Sequence, residues 1–358
     1  VPLVSLMAVL SEAVQAAVDG YVKQSVSVED SRERHLPEVV AALTEKHVEL
    51  LDIVIYLGGT LDNAKEPQER RYAVLLLVDC LERVEMKLNG VHLETFLQFF
   101  RSKLSDWQCI EGAINGISVL FRREGDLRTL RGEDQQLLVV ATVRHLFQTV
   151  HVPSHTQGTR KVLHNFVAML LTDWRDEISE LREALGDGIA SMVDEERDPR
   201  NLVIAFSNAA AFLRHFDATC CPRQVLVSVF EGLTSYFPIS FKPPKDDKFG
   251  ITPDNLRDGL YAALGSTPRM AEFVIPFLLD ASKDIESGDD ATTISQALAC
   301  LTRCLTKYGK DVAREHLKDI LATVRDQVCR TTTPCVAEFA DLLRCTLSVA
   351  MQGVPTGL

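Results

Sequence analysis

The sequence is poor in aromatic residues and in every motif that would commit it to a reaction. Aromatics make up 7% of 358 residues, with two tryptophans. A core must therefore be built mainly from Leu, Val, Ile and Ala, which suits helix-on-helix packing. No Gly-x-x-x-x-Gly-Lys-Ser/Thr loop, Gly-x-Ser-x-Gly elbow or His-Glu-x-x-His segment occurs. The nine cysteines include no Cys-x-x-Cys, and no Asn-x-Ser/Thr glycosylation site is present. Both absences favour a reducing compartment. No apolar run reaches the ~18 residues of a membrane span, and no alternating strand pattern is sustained. Positive charge is also short. The formal net charge of −12 disfavours generic nucleic-acid binding, which needs basic patches. The first residue is Val1, and the expectation is an incomplete N-terminus. The apolar start lacks the basic flank of a secretion signal.

What is present is helical periodicity. Hydrophobic residues make up 46% of the chain, enough for a large core. Apolar stripes recur at three or four residues: Leu93-Phe96-Leu97-Phe100, Ile110-Ile114-Ile117-Phe121, Leu163-Phe166-Val167-Leu170 and Leu202-Phe206-Ala209-Leu213-Phe216. Later come Ile294-Leu298-Leu301-Leu305-Tyr308, Leu317-Leu321-Val324-Val328 and Val336-Phe339-Leu343-Leu347. Each predicts a helix burying that face. Asp198-Pro199, Thr252-Pro253 and Thr267-Pro268 predict N-caps followed by proline in the first turn. Pro276 predicts a kink. Paired helices recur about every 40 to 47 residues, the HEAT or armadillo range. The expected fold is all-α: a HEAT-repeat α-solenoid of about seven or eight helical hairpins, forming a single domain over residues 1–358. A compact helical domain is the alternative.

Tyr236 to Ile251 is the longest island that cannot be helix. Pro238, Pro243 and Pro244 lack backbone donors, and Gly250 permits a turn. Tyr236, Phe237, Pro238, Phe241, Lys242, Pro243, Pro244, Lys245, Asp246 and Asp247 are candidates either for stapling adjacent hairpins or for an exposed recognition tip. A calcium loop around Asp246, Asp247 and Gly250 fails, because two ligand positions fall on Lys245 and Phe249. Cys300 and Cys304 lie one helical turn apart on an apolar face, where packing explains them better than metal ligation. His151 and His155 flank a loop with no carboxylate partner nearby. Trp107 and Trp174 suit amphipathic packing. Gly186-Asp187-Gly188 lacks the strand and third glycine of a dinucleotide fingerprint and suggests a helix break. No catalytic, metal or cofactor residue is expected.

Two blocks are distinctive: Met192 to Leu202, containing Asp198, Pro199, Arg200 and Asn201, and Tyr236 to Pro244 with the later run Leu264 to Phe273, containing Ser266, Thr267 and Pro268. They resemble the N-terminal domain of the MMS-nineteen nucleotide excision repair protein family. The resemblance is tight from about Met192 to Lys283. Lys248-Phe249 departs from it, where the family more often has proline. It implies a non-catalytic HEAT-repeat scaffold of the cytosolic iron–sulfur assembly targeting complex, cytoplasmic and nuclear, without a cofactor of its own. Implied partners are late assembly factors of WD-repeat and MIP type, and apo iron–sulfur clients such as the TFIIH helicase. Neither nucleic acid nor membrane is implied as a direct partner. The family's factor-docking C-terminal repeats are expected to be absent here. A generic helical-repeat adaptor for transport or phosphatase complexes is the alternative, and a helical enzyme with an unrecognised site is a third.

Overall fold

A computed structural model describes residues 10–24, 27–127, 130, 132–194, 196–216, 221–244, 249–283, 290–329 and 335–353. Contacts divide the chain into two compact units, residues 1–151 with 161–166, and residues 152–160 with 167–358. All regular structure among the described residues is helical. The first unit holds α1 (Glu12–Asp19), α2 (Val28–Arg34), α3 (Leu36–Thr44), α4 (Leu50–Leu61), α5 (Pro67–Arg83), α6 (Gly90–Lys103), α7 (Ile110–Arg122), α8 (Glu124–Leu127) and α9 (Gly132–Thr149). Helix α10 (Gln157–Asp173) contributes residues to both units. The second unit continues with α11 (Arg182–Asp194), α12 (Pro199–Phe216), α13 (Arg223–Thr234), α14 (Pro253–Leu264), α15 (Ala271–Ala281), α16 (Asp290–Tyr308), α17 (Lys310–Glu315), α18 (Leu317–Val328) and α19 (Val336–Ala350).

The packing is that of helical repeats. In the first unit α5 packs on α7; in the second, α11 packs on α13, α12 on α14, and α16 on α19. In three of these pairs the partner helix lies two places away and in the fourth three places away, and within each unit such stacking closes a core that no single pair could close. The hydrogen bonds carry the same period. Lys103 Nζ donates to the Leu61 carbonyl (2.9 Å, 42 residues apart) and Arg123 Nη1 to that of Leu81 (2.8 Å, 42 apart). Tyr236 donates to the Val193 carbonyl (43 apart) and Tyr308 to that of Leu264 (2.7 Å, 44 apart). Each donor at or just beyond the end of one helix satisfies a carbonyl in the last turn of the helix two places earlier. Those carbonyls have no intrahelical donor, or lie next to ones that have none.

The predicted starts are in place. Thr252 and Asn255 form a reciprocal capping box at α14, and Thr267 caps the 3-10 turn Pro268–Met270 that leads into α15. Pro276 lies inside α15 on its exposed side. In α5, Tyr72 to Leu81 are buried without interruption, so an apolar burst that could suit a strand is a helix enclosed all round. Three expectations are corrected. Gly186 does not break a helix but lies within α11, where a Cβ would meet Val225 Cγ1 at 2.2 Å; its role is close helix approach. Trp107 is 74% exposed in the turn before α7, whereas Trp174 is buried. On α18 and α19 the buried faces are Ile320-Thr323-Val324-Gln327 and Phe339-Leu342-Thr346-Val349. Leu321, Val328, Val336 and Leu347 from the expected stripes are exposed.

Candidate functional site

The first distinctive block, together with Tyr236 of the second, gathers in the second unit around one buried carboxylate. Glu196 lies between α11 and α12 and is 1% exposed. Its Oε1 accepts from Arg160 Nη2 (2.9 Å) and the Asp198 backbone N–H (2.9 Å). Its Oε2 accepts from Arg160 Nε (2.9 Å) and Asn201 Nδ2 (3.2 Å). Asn201 is fully buried, donates to the Gln157 carbonyl and accepts from Gln157 Nε2, both at 3.1 Å. A charge this deep is tolerable only when paired and saturated with donors, and Glu196 meets both conditions. Hydrogen bonding to Glu196 pushes the Arg160 pKa up further.

Asp198 closes the start of α12. Its Oδ1 accepts from the Arg200 backbone N–H (2.9 Å) and Nε (2.8 Å), and its other oxygen from Nη2. The hydrogen bond from Arg200 holds the Asp198 carboxyl below its usual range. Pro199 occupies the first helical position, where its missing N–H costs nothing. Four residues singled out in sequence are therefore a helix start wrapped around Glu196. Arg160 carried no local signal, because it lies 36 residues from its partner.

The proline loop is fastened to several helices. The Tyr236 hydroxyl faces the carbonyls of Val193, Asp194 (3.2 Å) and Glu196 (2.9 Å), and its ring meets Phe206 edge-on at 5.6 Å. Burial, then the Glu196 charge, push its pKa up to about 12. Phe237 packs edge-on against Phe277 of α15 at 5.6 Å. Ile239 is buried and exchanges two hydrogen bonds with Gln296 of α16: its N–H donates to Oε1 (2.9 Å), and its carbonyl accepts from Nε2 (3.1 Å). Phe241 is half-buried, while Pro238, Lys242, Pro243 and Pro244 are exposed. Lys245, Asp246 and Asp247 lie outside the described residues. Beyond them Phe249 is 64% exposed, with the Arg200 guanidinium 4.2 Å from its ring centre. Gly250 has φ +68°, the left-handed turn its residue type permits. Gln296 was missed in sequence because its role needs a partner 57 residues away.

The other marked residues are placed apart from this network. Thr267 is buried at the start of the 3-10 turn, Ser266 Oγ has no hydrogen-bond partner, and Pro268 is exposed. Cys300 and Cys304 are buried with sulfurs 4.0 Å apart, and burial raises the Cys300 pKa. Among the described residues no three His, Cys, Asp or Glu converge as metal ligands. An open groove of about 520 Å³ runs between α14, α16 and the start of α19, with Asp254, Asp258, Arg303 and Glu338 on its walls. Arg257 pairs with Asp254 and Arg303 with Asp258 across its walls.

Comparison with known proteins gives a consistent picture. A family model described as Dos2-interacting transcription regulator of RNA-Pol-II (MMS19_N) matches residues 54–330. The chain is 29% identical to the MMS19 nucleotide excision repair protein homolog of Dictyostelium discoideum, over 90% of this chain and 27% of that one. The Homo sapiens homolog is 29% identical over 83% of this chain and 27% of its own length. The Arabidopsis thaliana homolog is 28% identical over 74% and 23%. The chain thus spans about a quarter of the length of the curated relatives it matches.

Proposed function

The chain belongs to the MMS19 family, and from that premise we propose that it forms part of a non-catalytic helical-repeat scaffold. In this reading the scaffold serves the cytosolic iron–sulfur assembly targeting complex, bringing late assembly factors to apo-proteins of DNA repair, replication and transcription. The family match over residues 54–330 is the observation that carries it. The names of the relatives point to nucleotide excision repair, a process in which iron–sulfur helicases would be clients.

The chemistry of the second unit fits a framework better than a reacting site. Glu196, Arg160, Asn201 and Tyr236 satisfy one another and the helix ends around them, leaving no group poised to attack or to move a proton. A stack of helices offers a long exposed surface over which modest contacts add up, with a few anchors supplying most of the affinity. The chain presents the client-facing arm, and the WD-repeat and MIP-type factors engage other repeats of a longer family protein.

The test is affinity capture with purified components. The 358-residue chain and the full-length Homo sapiens relative are each incubated with an apo iron–sulfur helicase and with the assembly factors. The reading expects both to retain the helicase and only the relative to retain the factors. Failure of both proteins to retain the helicase, or helicase capture by the relative alone, would overturn the client-facing assignment.

A further inference from the structure

In a chain poor in aromatics, four of the 16 phenylalanines line one surface seam. Helices α13 and α15 pack together within the second unit. Phe230 of α13, Phe273 and Phe277 of α15 and Phe237 of the proline loop follow their junction, each half-buried. The rings stand in single file. Phe273 lies 5.7 Å from Phe230, Phe230 5.7 Å from Phe277, and Phe277 5.6 Å from Phe237, ring centre to ring centre. The last two contacts are edge-on, at 88° and 75°, so the file is ridged rather than flat. Arg223 closes one end, its guanidinium 4.9 Å from the Phe273 ring centre and 3.0 Å from a Glu272 carboxylate oxygen. One half-exposed phenylalanine needs no explanation, but four in contact make a continuous apolar surface.

We propose that this file is a docking strip for a proline-rich, basic segment of a partner protein, held in the extended polyproline II conformation. Three features select that occupant. Polyproline II segments dock on aromatic-lined surfaces, where they lose little conformational entropy, and two of their residues rise about 6 Å, close to the spacing of these rings. The file is also bordered by polar side chains: exposed Gln224 and Glu231 on α13, exposed Glu272 and Asp280 on α15. An amphipathic helix would lay a broader apolar face there and desolvate those carboxylates; an extended chain need not. Charge is the third feature. The one cation on α13 and α15, Arg223, is engaged by Glu272, which leaves Glu231 and Asp280 to accept lysine or arginine side chains flanking the prolines. Helix α11, packed on α13, adds exposed Glu183 and Asp187 nearby, so the local field favours a basic segment. The proposal stands apart from the client assignment above, since it concerns this surface whichever protein brings the segment.

The test is an array of immobilised proline-rich peptides, half flanked by lysine and arginine and half by aspartate and glutamate, probed with the labelled 358-residue chain at about 0.15 M salt. Retention on the basic set is expected. F230L/F277L keeps apolar volume in the seam but removes two rings, and should weaken that retention by about tenfold while lowering the Tm by less than about 3 °C. E231K/D280K changes only exposed positions, and should weaken retention by a similar factor with the Tm unmoved. Retention on neither set, equal retention on both, or retention untouched by F230L/F277L would overturn the proposal. Sedimentation showing the chain as a dimer that F230L/F277L converts to monomer would overturn it too. That result would assign the file to a second copy, whose exposed Lys242-Pro243-Pro244 run is itself basic and proline-bearing.

Discussion

Glu196 shows how little an isolated charge says about function. Its carboxylate accepts four hydrogen bonds, and its side chain is fully buried beside an Arg160 that is 16% exposed. Removing one member of such a pair leaves the other charged and dry. Glu196→Ala should therefore cost about 3–5 kcal/mol, read as a lowered urea midpoint. Asp198 carries a different prediction, because its pairing with Arg200 is partly open to water. Its carboxyl is held below its usual value by Arg200, so the folded state binds that proton less readily than the unfolded chain. The resulting stability is fully present above the unfolded value of about 3.9 and is lost as pH falls through the lower folded one. Asp198→Asn keeps an oxygen to cap the Arg200 N–H but gives up the ion pair. Wild type should exceed Asp198→Asn by about 1 kcal/mol or less at pH 7. In urea titrations from pH 7 to pH 2.5 the gap should close below about pH 4; a gap unchanged at the acid end would exclude the ion pair as its source.

At the scale of the element, glycine shows why sequence alone misassigned a position. Gly186 and Gly58 both lie inside helices, α11 and α4. A Cβ at Gly186 would approach Val225 Cγ1 at 2.2 Å and Phe212 Cζ at 2.9 Å, whereas one at Gly58 would meet nothing within 4 Å. Gly186→Ala should destabilise by about 1–3 kcal/mol through overpacking. Gly58→Ala should stabilise by up to about 1 kcal/mol through helix propensity. Thermal melts of the two variants should shift in opposite directions. The proline loop gives a second test. Gln296→Met should strand the buried Ile239 N–H and carbonyl, costing about 2 kcal/mol and speeding hydrogen exchange at Ile239. The helices, their caps and the repeat length near 43 residues were legible because they rest on local chemistry and spacing. The bonds joining Tyr236 to Val193, Arg160 to Glu196 and Ile239 to Gln296 were not, because each spans 36 to 57 residues and leaves no local trace. The buried faces of α18 and α19 were misjudged for a related reason: periodicity shows how wide an apolar stripe is, not how much of it a neighbour covers.

For the whole molecule the governing quantity is charge. A net −12 over 358 residues produces a field that favours encounters with basic surfaces and disfavours phosphate backbones. Proteins that handle DNA carry such basic surfaces, so an acidic scaffold would select them by the same face they use for nucleic acid. The attraction acts across water and is screened over about 10 Å at 0.1 M salt, shortening as salt rises. Apolar anchoring responds far less to salt over that range. On the proposed function, capture of an apo iron–sulfur helicase by this chain should therefore weaken as salt rises from about 50 to about 300 mM, with most of the loss in the association rate. Double-stranded DNA added at low salt should compete for the helicase without binding the chain. Surface-plasmon measurements across that series check both points. A flat salt response, or DNA retained on the chain itself, would show that the acidic balance does not choose the partner.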